Sequence, residues 1–500
     1  MFLTVALVLA ASWLIARQAS RFSKQPQELL AAFALIVFSL FWQFSLPGAT
    51  WKLIGEFLLI GGIGLLLASG YVKRRGDGAR PFFSIGLLLL LISVLVFGVA
   101  RLVSAPEANV AKAGDSVLLV ELGPDDYVDE LAGLFERHEA TAIRAYENVT
   151  SDENIDLAQV WIVTVPTSRE SGLVEALDLD DENVDHVEIN RIVSLSEPLA
   201  ADASVEAPRE VIENDPLVSR QWALDAIGAH EAHALLQDRS PVRRARVAIV
   251  DTGVDARHED LADAFQPSPG SADPHGHGSH CAGIAGSVTN NGVGIASLNW
   301  EGRYVEIRGY TALDAMGSGS VEQIAQAVID AAEDRQDIIS MSLGDRSPVA
   351  PKSIRDAIAY ARSLGAVIVV SAGNSNEDAA LHMPSNVDGV IVVSALDRQL
   401  RKAGFSNTNT TLALPIAAPG VDILSARPGG GYVPMSGTSM ATPMVAGVLG
   451  ILKALNPDLG EAELYEVIRS TARDVPDAKQ TGLLIDAGAA VQRVLDGLSR

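Results

Sequence analysis

The chain has 500 residues, enough for several domains of about 100–200 residues each. Its formal net charge of −24 argues against a nucleic acid as the partner. The mean hydropathy of +0.22 is high for a wholly soluble protein and indicates a membrane part. A single cysteine excludes an internal disulfide, so cysteine usage does not reveal the compartment.

Four apolar runs occupy the first hundred residues, and each is about as long as a helix that spans a bilayer. They cover residues 1–16, 29–46, 53–71 and 82–100. The first run lacks the basic start of a signal peptide and three more runs follow, so we interpret it as a true span. Glu56, near one end of the third run, can reach the interface, so no transport path is evident. Residues 1–104 are therefore predicted to be a transmembrane region with four spans.

Two loops between these runs are basic, and they set the predicted topology. One carries Arg17, Arg21 and Lys24, and the other is the segment 73–80 with four basic side chains. By the positive-inside rule both loops are cytoplasmic, which places the chain after Arg101 outside the cytoplasm. The alternative is that one run is not a span, and the predicted side of the remaining chain would then be reversed.

An acidic region follows, with 6 Lys or Arg against 26 Asp or Glu over residues 105–213. Residues 105–198 predict a small α+β module of ferredoxin-like order. Its predicted strands are 116–122, 159–165 and 185–193, and its predicted helices are 126–139 and 170–177. Residues 199–213 are rich in Ala, Glu and Pro without periodicity, which predicts an exposed linker.

From residue 214 onward, predicted strands alternate with predicted helices. Strands are expected at 247–250, 338–342 and 367–371, and helices after Ser320 and over 351–364. This alternation indicates a parallel sheet with helices on both faces. In such sheets the functional site lies beyond the carboxyl ends of the strands.

Four side chains that can take part in catalysis stand at strand ends or helix starts in this region. Asp251 and Asn374 each follow a predicted strand, and His277 opens a helix of small residues. Ser439 lies in Gly-Thr-Ser-Met-Ala-Thr-Pro, residues 437–443, at the start of a long apolar run. A serine hydroxyl becomes a good nucleophile when a base takes its proton, and a histidine held by a carboxylate is such a base.

These motifs, in the order Asp, His, Ser, resemble those of the subtilisin-like serine proteases, the subtilases. Cys281 and the spacing through residues 288–291 are similar to the thermitase-like branch, and the resemblance covers about residues 214–495. It implies a serine-type endopeptidase domain over residues 214–500, with Asp251, His277 and Ser439 as the catalytic triad. Asn374 would supply an oxyanion-hole donor beside the Ser439 backbone N–H.

The resemblance also implies where the substrate binds. Two segments would clasp the peptide as an added strand: Gly317, Ser318 and Gly319, and Ser342, Leu343 and Gly344. Ala372 and Gly373 would line the primary pocket, and residues 382–384 would form a cis-proline turn. The closing helices of the family would correspond to residues 458–494.

A structural calcium ion is implied in the same way, whereas catalysis needs no cofactor. The implied ligands are Asp215, Asp260, Val288, Asn291, Val293 and Ile295. Carboxylates and carbonyl oxygens suit this hard cation. The alternative is a turn that holds no metal.

Four further residues near the triad have competing interpretations. His275 and His280 flank His277, yet no zinc shell is completed, so we expect no metal there. Cys281, four residues after His277, is expected to be a buried small residue under the triad, the alternative being a nucleophile. Asp255 is expected on a solvated loop.

The acidic module resembles the subtilase pro-domain mainly by its position. In that family the pro-domain covers the protease and its tail lies in the cleft, so the chain would be a zymogen with its own intramolecular inhibitor. The alternative is an acidic spacer. The expected fold is thus a subtilisin-like α/β sheet, preceded by a ferredoxin-like pro-domain and a four-helix transmembrane region.

The expected function is a membrane-anchored endopeptidase that hydrolyses proteins outside the cytoplasm, with the lipid bilayer and peptide substrates as partners. Two other functions remain open from the sequence. One is a catalytically silent protease fold that serves as a receptor or scaffold. The other is a membrane sensor module regulated by the protease.

Overall fold

The computed structural model of the protein describes residues 114–195, 199–200, 212–268 and 270–498. The predicted transmembrane region 1–104 lies outside these residues, as does most of the predicted linker, residues 201–211. Within the described ranges, one helix is long and apolar enough to cross a membrane, and that helix, Thr438–Leu455, is wholly buried in the protein.

The N-terminal module is a four-stranded antiparallel sheet in the order β2-β3-β1-β4 with helices packed on it. Its strands are β1 (Asp115–Leu122), β2 (Thr141–Arg144), β3 (Val160–Pro166) and β4 (Val184–Ile189), and its helices are α1 (Ala132–His138), α2 (Ile155–Ala158) and α3 (Thr167–Asp178). Alternate residues of β1, among them Leu118 and Val120, pack under the helices. This is the predicted α+β order.

Three details of the module differ from the sequence prediction. Strand β2 was not predicted, because its four residues are partly exposed and show little alternation. The helix predicted over 126–139 begins as a 3-10 turn, Val128–Leu131, before α1. The strand predicted over 185–193 is divided, and its second part is β5 (Ile192–Ser194), which pairs with a strand of the following domain.

The second domain contains a six-stranded parallel sheet in the order β15-β14-β12-β10-β7-β8. Its strands are β7 (Ala245–Asp251), β8 (Val305–Thr311), β10 (Ile338–Met341), β12 (Val367–Ser371), β14 (Val390–Leu396) and β15 (Pro415–Pro419). The central strands β10 and β12 are buried along their whole length, as their unbroken apolar runs predict.

Helices cover both faces of this sheet, and the shorter strands lie around them. The helices are α4 (Trp222–Ala226), α5 (Ala229–Leu236), α6 (His277–Gly286), α7 (Val321–Glu333), α8 (Lys352–Ser363), α9 (Thr438–Leu455), α10 (Glu461–Thr471), α11 (Ala478–Thr481) and α12 (Ala487–Leu498). The remaining strands are β6 (Leu199–Ala200), β9 (Ser318–Ser320), β11 (Asp345–Arg346), β13 (His382–Met383), β16 (Ile423–Ala426) and β17 (Tyr432–Ser436).

Helix α9 runs through the core, and all of its residues are buried. It approaches α6 so closely that a Cβ on Gly447 would lie 2.7 Å from the carbonyl oxygen of Ala285. A larger side chain at this position would push the two helices apart. The small residues in the apolar run therefore set the distance between the helix that begins near Ser439 and the helix that begins with His277.

The module is fixed to the second domain through the N-termini of α7 and α8. The carboxylate of Glu188 accepts hydrogen bonds from the backbone N–H groups of Lys352 (2.7 Å) and Ser353 (3.2 Å). Asn190 Oδ1 accepts one from the Glu322 N–H at 3.1 Å. Such contacts satisfy N–H groups that a helix leaves free, and a carboxylate is favoured there by the helix dipole.

Candidate active site

Four predicted side chains converge because two strands end and two helices begin at one edge of the parallel sheet. Asp251 is the last residue of β7, and Asn374 follows β12. His277 is the first residue of α6, after Gly276 with a φ of 103°. Ser439 is the second residue of α9. The predicted site therefore lies beyond the carboxyl ends of the strands.

The Asp251 carboxylate holds the His277 imidazole by its Nδ1 atom. The Nδ1–Oδ1 and Nδ1–Oδ2 distances are 2.8 and 2.9 Å, and both side chains are almost completely buried. Burial by itself lowers the pKa of His277, but the charge and hydrogen bond of Asp251 together with those of Cys281 outweigh it, and the pKa lies well above its usual value. Among the described residues, none forms a hydrogen bond with His277 Nε2.

Ser439 is held by its backbone and by Ser342. Pro443, four residues later in α9, has no N–H to donate to the Ser439 carbonyl oxygen. That oxygen accepts instead from Ser342 Oγ at 2.9 Å and from Cys281 Sγ at 3.4 Å. The Ser439 hydroxyl donates to the Ser342 carbonyl oxygen at 3.2 Å. A serine-to-histidine hydrogen bond is often long without substrate and tightens when substrate binds.

Two N–H donors, Asn374 Nδ2 and the Ser439 backbone nitrogen, lie close to the same point beside Gly437. The Oδ1 atom of Asn374 accepts from the Thr438 N–H at 2.9 Å and from the Thr438 hydroxyl at 2.8 Å, which fixes the amide plane. A Cβ built on Gly437 would lie 3.5 Å from Asn374 Nδ2 and 3.6 Å from the Ser439 nitrogen. Such a pair of donors can stabilise the oxyanion of a tetrahedral intermediate.

A buried Asp–Thr pair that the sequence analysis missed orders the loop before α6. Asp273 accepts hydrogen bonds from the Thr252 hydroxyl at 2.8 Å and from the backbone N–H groups of Gly276 (2.7 Å) and Ser279 (2.8 Å). The Thr252 hydroxyl in turn accepts from the Gly278 N–H at 3.0 Å. An Asp just before a helix is a common capping signal and could have been recognised.

The first predicted substrate segment is paired with the chain itself. Strand β5 lies antiparallel to β9, with Val193 opposite Gly319, and the Leu195 N–H donates to the Gly317 carbonyl oxygen at 2.9 Å. Ser194 and Ser318 are joined through their hydroxyls at 2.8 Å. The predicted binding strand thus accepts an extended peptide backbone.

The other predicted substrate residues lie in the walls of the same site. Leu343 is buried, and a Cβ on Gly344 would lie 2.4 Å from the Met383 carbonyl oxygen, so only glycine fits. The Ala372 carbonyl oxygen accepts from Asn407 Nδ2 at 2.9 Å, and Gly373 has a φ of 99°. The Met383–Pro384 peptide bond is cis, as expected.

Of the other residues near the triad, His280, Cys281 and Asp255 are buried, whereas His275 is exposed. His280 Nε2 contacts the Val433 carbonyl oxygen at 3.0 Å, and burial lowers the pKa of His280 to about 3. Cys281 is fully buried, which raises its pKa, and its Sγ lies 3.9 Å from His277 Nδ1. The expectation for Asp255 was wrong, because it is buried and accepts hydrogen bonds from the Gly429 and Arg257 N–H groups.

The structure brings the side chains of the predicted calcium site together. Asn291 donates from Nδ2 to Asp260 Oδ1 at 2.9 Å and from its backbone N–H to Asp215 Oδ1 at 3.2 Å. Both carboxylates are buried. Burial is the main cause that raises the pKa of Asp215 to about 6, and the charge of Asp260 adds to it. Two buried carboxylates of like charge suit a cation between them.

The backbone around this site forms one small loop cluster. The Val288 N–H donates to the Asp260 carbonyl oxygen at 2.9 Å, and the Ile295 N–H donates to Asp260 Oδ2 at 2.9 Å. The Val293 N–H donates to Asn291 Oδ1 at 2.8 Å. All six predicted residues are therefore neighbours, although their sequence positions range from 215 to 295.

Comparisons with known proteins agree with this geometry. The family model described as the subtilase family matches residues 243–488. Thermitase from Thermoactinomyces vulgaris is 37% identical over 247 residues, which are 48% of this chain and 84% of that protein. A thermophilic serine proteinase from Bacillus sp. (strain AK1) is 38% identical over 233 residues, 45% of this chain and 56% of that protein.

A solved structure is similar as well. It is a protease from Pseudoalteromonas arctica PAMC 21717, with 27% sequence identity and a TM-score of 0.51. The match covers 56% of this chain and 99% of that one. The similarity thus includes the parallel sheet and its helices.

Proposed function

The chain belongs to the subtilase family of serine proteases. We propose that it is a membrane-anchored endopeptidase that cleaves proteins outside the cytoplasm. The observation that carries the proposal is the double contact of Asp251 with His277 Nδ1, at 2.8 and 2.9 Å. It fixes the imidazole while Nε2 stays available for proton transfer.

In the proposed reaction, His277 Nε2 removes the proton of the Ser439 hydroxyl as this oxygen attacks the peptide carbonyl carbon. Asp251 stabilises the imidazolium that forms and keeps the ring in the correct tautomer. Asn374 Nδ2 and the Ser439 N–H stabilise the negative oxygen of the tetrahedral intermediate. His277 then donates the proton to the leaving amine, and water releases the acyl group in a second cycle.

A fluorophosphonate probe tests the activity on the full chain in detergent. We expect the probe to label the wild type and casein to be hydrolysed, whereas Ser439→Ala should show neither. The module can be removed from the active-site cleft by limited proteolysis. If the folded wild-type protein then still fails to react with the probe, the result would support the scaffold function instead. Labelling that persists in Ser439→Ala would show that another residue is the nucleophile.

We also propose that the N-terminal module is an inhibitory pro-domain that is cut by the same active site. Two chain segments support this: β5 pairs with β9, and β6 pairs antiparallel with β17, which ends three residues before Ser439. The paired segments end at Leu195 and resume at Leu199, so the first cut is expected between these residues. The predicted linker must be revised, since 199–200 form β6 and Glu213 is buried.

The maturation proposal has a direct readout. A fragment that begins between residues 196 and 199 should appear in the wild type, and later trimming should move its start toward residue 214. Ser439→Ala should accumulate only the full chain. N-terminal sequencing of the fragment locates the first cut. A first cut outside this interval would show that the pairing of β5 and β6 does not determine where the chain is cleaved.

The membrane anchor and the calcium ion complete the proposal. The four apolar runs in residues 1–104 support the anchor, and a reporter fused after Arg500 that is active only outside the cytoplasm would test its topology. The two buried carboxylates Asp215 and Asp260 support a structural calcium ion. Asn291 and the carbonyl groups of Val288, Val293 and Ile295 would complete its oxygen ligands.

A further inference from the structure

A second cluster of histidine and carboxylate lies at the start of the protease domain, apart from the active site. Glu213 directly precedes Asn214, and His230 and His233 lie three residues apart on α5. Residues at this spacing share one face of a helix. The side chains of Glu213 and His233 are 0% exposed, and that of His230 is 21% exposed.

Both imidazoles meet the same carboxylate oxygen. Glu213 Oε1 lies 2.8 Å from His230 Nδ1 and also forms a hydrogen bond with His233 Nδ1. The other oxygen, Oε2, is buried and has no hydrogen-bond partner in the part of the chain that the structure describes. A buried carboxylate oxygen without a partner is costly, so this atom indicates that the cluster accommodates a further positive group.

The far sides of the two rings show which nitrogen atoms are available as ligands. His233 Nε2 lies 2.7 Å from the Ser297 carbonyl oxygen, which can only accept, so Nε2 carries a hydrogen. His230 Nε2 lies 3.5 Å from Asp225 Oδ1. A metal ion would replace the hydrogen through which each Nδ1 bonds to Glu213 and would bind the lone pair left on that nitrogen. Metal-binding histidines have this arrangement, with the second nitrogen donating to a carbonyl or carboxylate oxygen.

We propose that Glu213, His230 and His233 bind a zinc ion through both Nδ1 atoms and the carboxylate. The candidate ligand atoms all lie within 4.8 Å of one another. Zinc bonds of about 2.0–2.1 Å place tetrahedral ligands about 3.3 Å apart, so small side-chain movements suffice. The His230 side chain is 21% exposed, so solvent reaches one of the ligands, and a water molecule would be the fourth ligand. Two nitrogen ligands disfavour calcium, which takes oxygen ligands.

Zinc at this place would join the entrance of the protease domain to α5. Glu213 is the last residue of the predicted linker, and Asp215 of the proposed calcium site is two residues away. The ion would therefore fix the segment that becomes the N-terminus after maturation. The inference does not depend on catalysis, because none of the three residues contacts Asp251, His277 or Ser439 among the described hydrogen bonds.

The test uses the full chain with Ser439→Ala in detergent, which prevents self-cleavage and makes the result independent of activity. Zinc is measured by equilibrium dialysis and elemental analysis with saturating calcium, so the oxygen-ligand site is already filled. We expect one tightly bound zinc per chain. Cobalt in place of zinc should give the intense visible absorption of a tetrahedral site with nitrogen and oxygen ligands.

Matched variants locate the ion. In the same background, Glu213→Gln and His230→Ala should each weaken zinc binding by at least about 10- to 100-fold, the loss that even outer-shell changes cause. His138→Ala, which changes a partly exposed histidine of the module, is the control and should bind zinc as before. His230→Ala is the more informative variant, because His230 is partly exposed, whereas replacing the buried His233 would also disturb folding.

A second cluster competes for the same ion and must be separated. Asp251, His277 and Cys281 also place three ligand atoms within 4.8 Å. Cys281→Val should leave the zinc stoichiometry at one if the proposal holds. The proposal is overturned if the folded protein binds no zinc, if both Glu213→Gln and His230→Ala keep full affinity, or if only Cys281→Val loses the ion.

Discussion

Among the described residues of the protease domain, Asp251 and Glu213 are both buried against histidine, and the two places differ in which atom is left without a partner. Asp251 uses both oxygen atoms on one imidazole, and His277 Nε2 has no protein partner among the described residues. Glu213 uses one oxygen atom on two imidazoles, and its other oxygen has no partner. The Asp251–His277 pair thus has an imidazole nitrogen without a partner, and the Glu213 cluster has a carboxylate oxygen without a partner.

This difference indicates what each place can do. A spare imidazole nitrogen beside a hydroxyl and two oxyanion donors can move a proton during acyl transfer. A spare carboxylate oxygen beside two imidazole Nδ1 atoms can bind a cation that displaces their hydrogens. Burial and a histidine–carboxylate contact are common to both, so these features alone do not identify an active site. The groups around the nitrogen or oxygen atom that has no partner determine whether the cluster can catalyse a reaction or bind an ion.

The largest expected effect comes from removing the hydroxyl beside the spare nitrogen. Ser439→Ala should lower kcat by about 10⁶-fold, the loss found for the same change in subtilisin, and adding His277→Ala should change little more, because the triad acts as one unit. Initial rates on a peptide substrate measure both. If the second substitution lowers kcat by a further large factor, Ser439 and His277 act independently.

The next effect comes from the carboxylate. Asp251→Asn should lower kcat about 10⁴-fold, since the ring then adopts the wrong tautomer. Asp251 raises the pKa of His277, so its loss should also move the acid limb of the pH–rate profile to lower pH. Asp238→Asn, an exposed position, is the control. By contrast, Glu213→Gln should lower the melting temperature and leave kcat nearly unchanged. A 10⁴-fold loss of kcat in Glu213→Gln would contradict the distinction between the two clusters.

A smaller loss should follow from removing one oxyanion donor. Asn374→Ala should lower kcat about 100- to 1,000-fold, the size measured for such a donor in subtilisin, with little change in KM. Thr438→Val should cost less, because the Thr438 N–H still holds Asn374 Oδ1. Steady-state kinetics separate kcat from KM, and an effect confined to KM would mean that Asn374 binds substrate in its ground state.

The sequence predicted the active site better than the cluster around Glu213, and the reason is physical. Asp251 and Asn374 follow unbroken apolar strands, and parallel strands bring their carboxyl ends to one edge wherever they occur. Glu213 stands at the end of a polar segment without periodicity, which resembles an exposed linker. Its burial depends on a helix 17–20 residues away, and local pattern contains no such information.

The other differences have the same cause. Asp255 follows a strand by four residues and was expected in solvent, but the glycine-rich loop at Gly429 covers it. Strand β2 is too short and too exposed to show an alternating pattern. The hydroxyl of Ser439 bonds to Ser342, which lies almost a hundred residues earlier in the chain. Each of these contacts depends on tertiary packing rather than on local propensity.

Calcium should act on stability, and it tests whether the oxygen-ligand site is separate from the Glu213 cluster. Calcium should raise the melting temperature of the full-length Ser439→Ala chain, and Asp260→Ala should abolish the rise. The pKa of Asp215 is raised from 3.8 to about 6, so the folded state binds the extra proton. Calcium-free stability should thus fall as pH rises through this window, and calcium should reverse the fall. A calcium response that survives Asp260→Ala would place the ion elsewhere.

Cys281→Val should have the smallest effect, although the sulfur lies only 3.9 Å from His277 Nδ1. The thiol is a weak donor to the Ser439 carbonyl oxygen, and Ser342 Oγ still donates to that oxygen at 2.9 Å. Valine is apolar and of similar size, so the change in unfolding free energy should stay below about 1.5 kcal/mol. Fluorophosphonate labelling and peptide hydrolysis should persist, because Ser439 and His277 Nε2 are unaltered. If the variant melts like the wild type but is no longer labelled covalently, Cys281 is the nucleophile. The thiol of Cys281, and not the Ser439 hydroxyl, would then be the group that His277 and Asp251 activate.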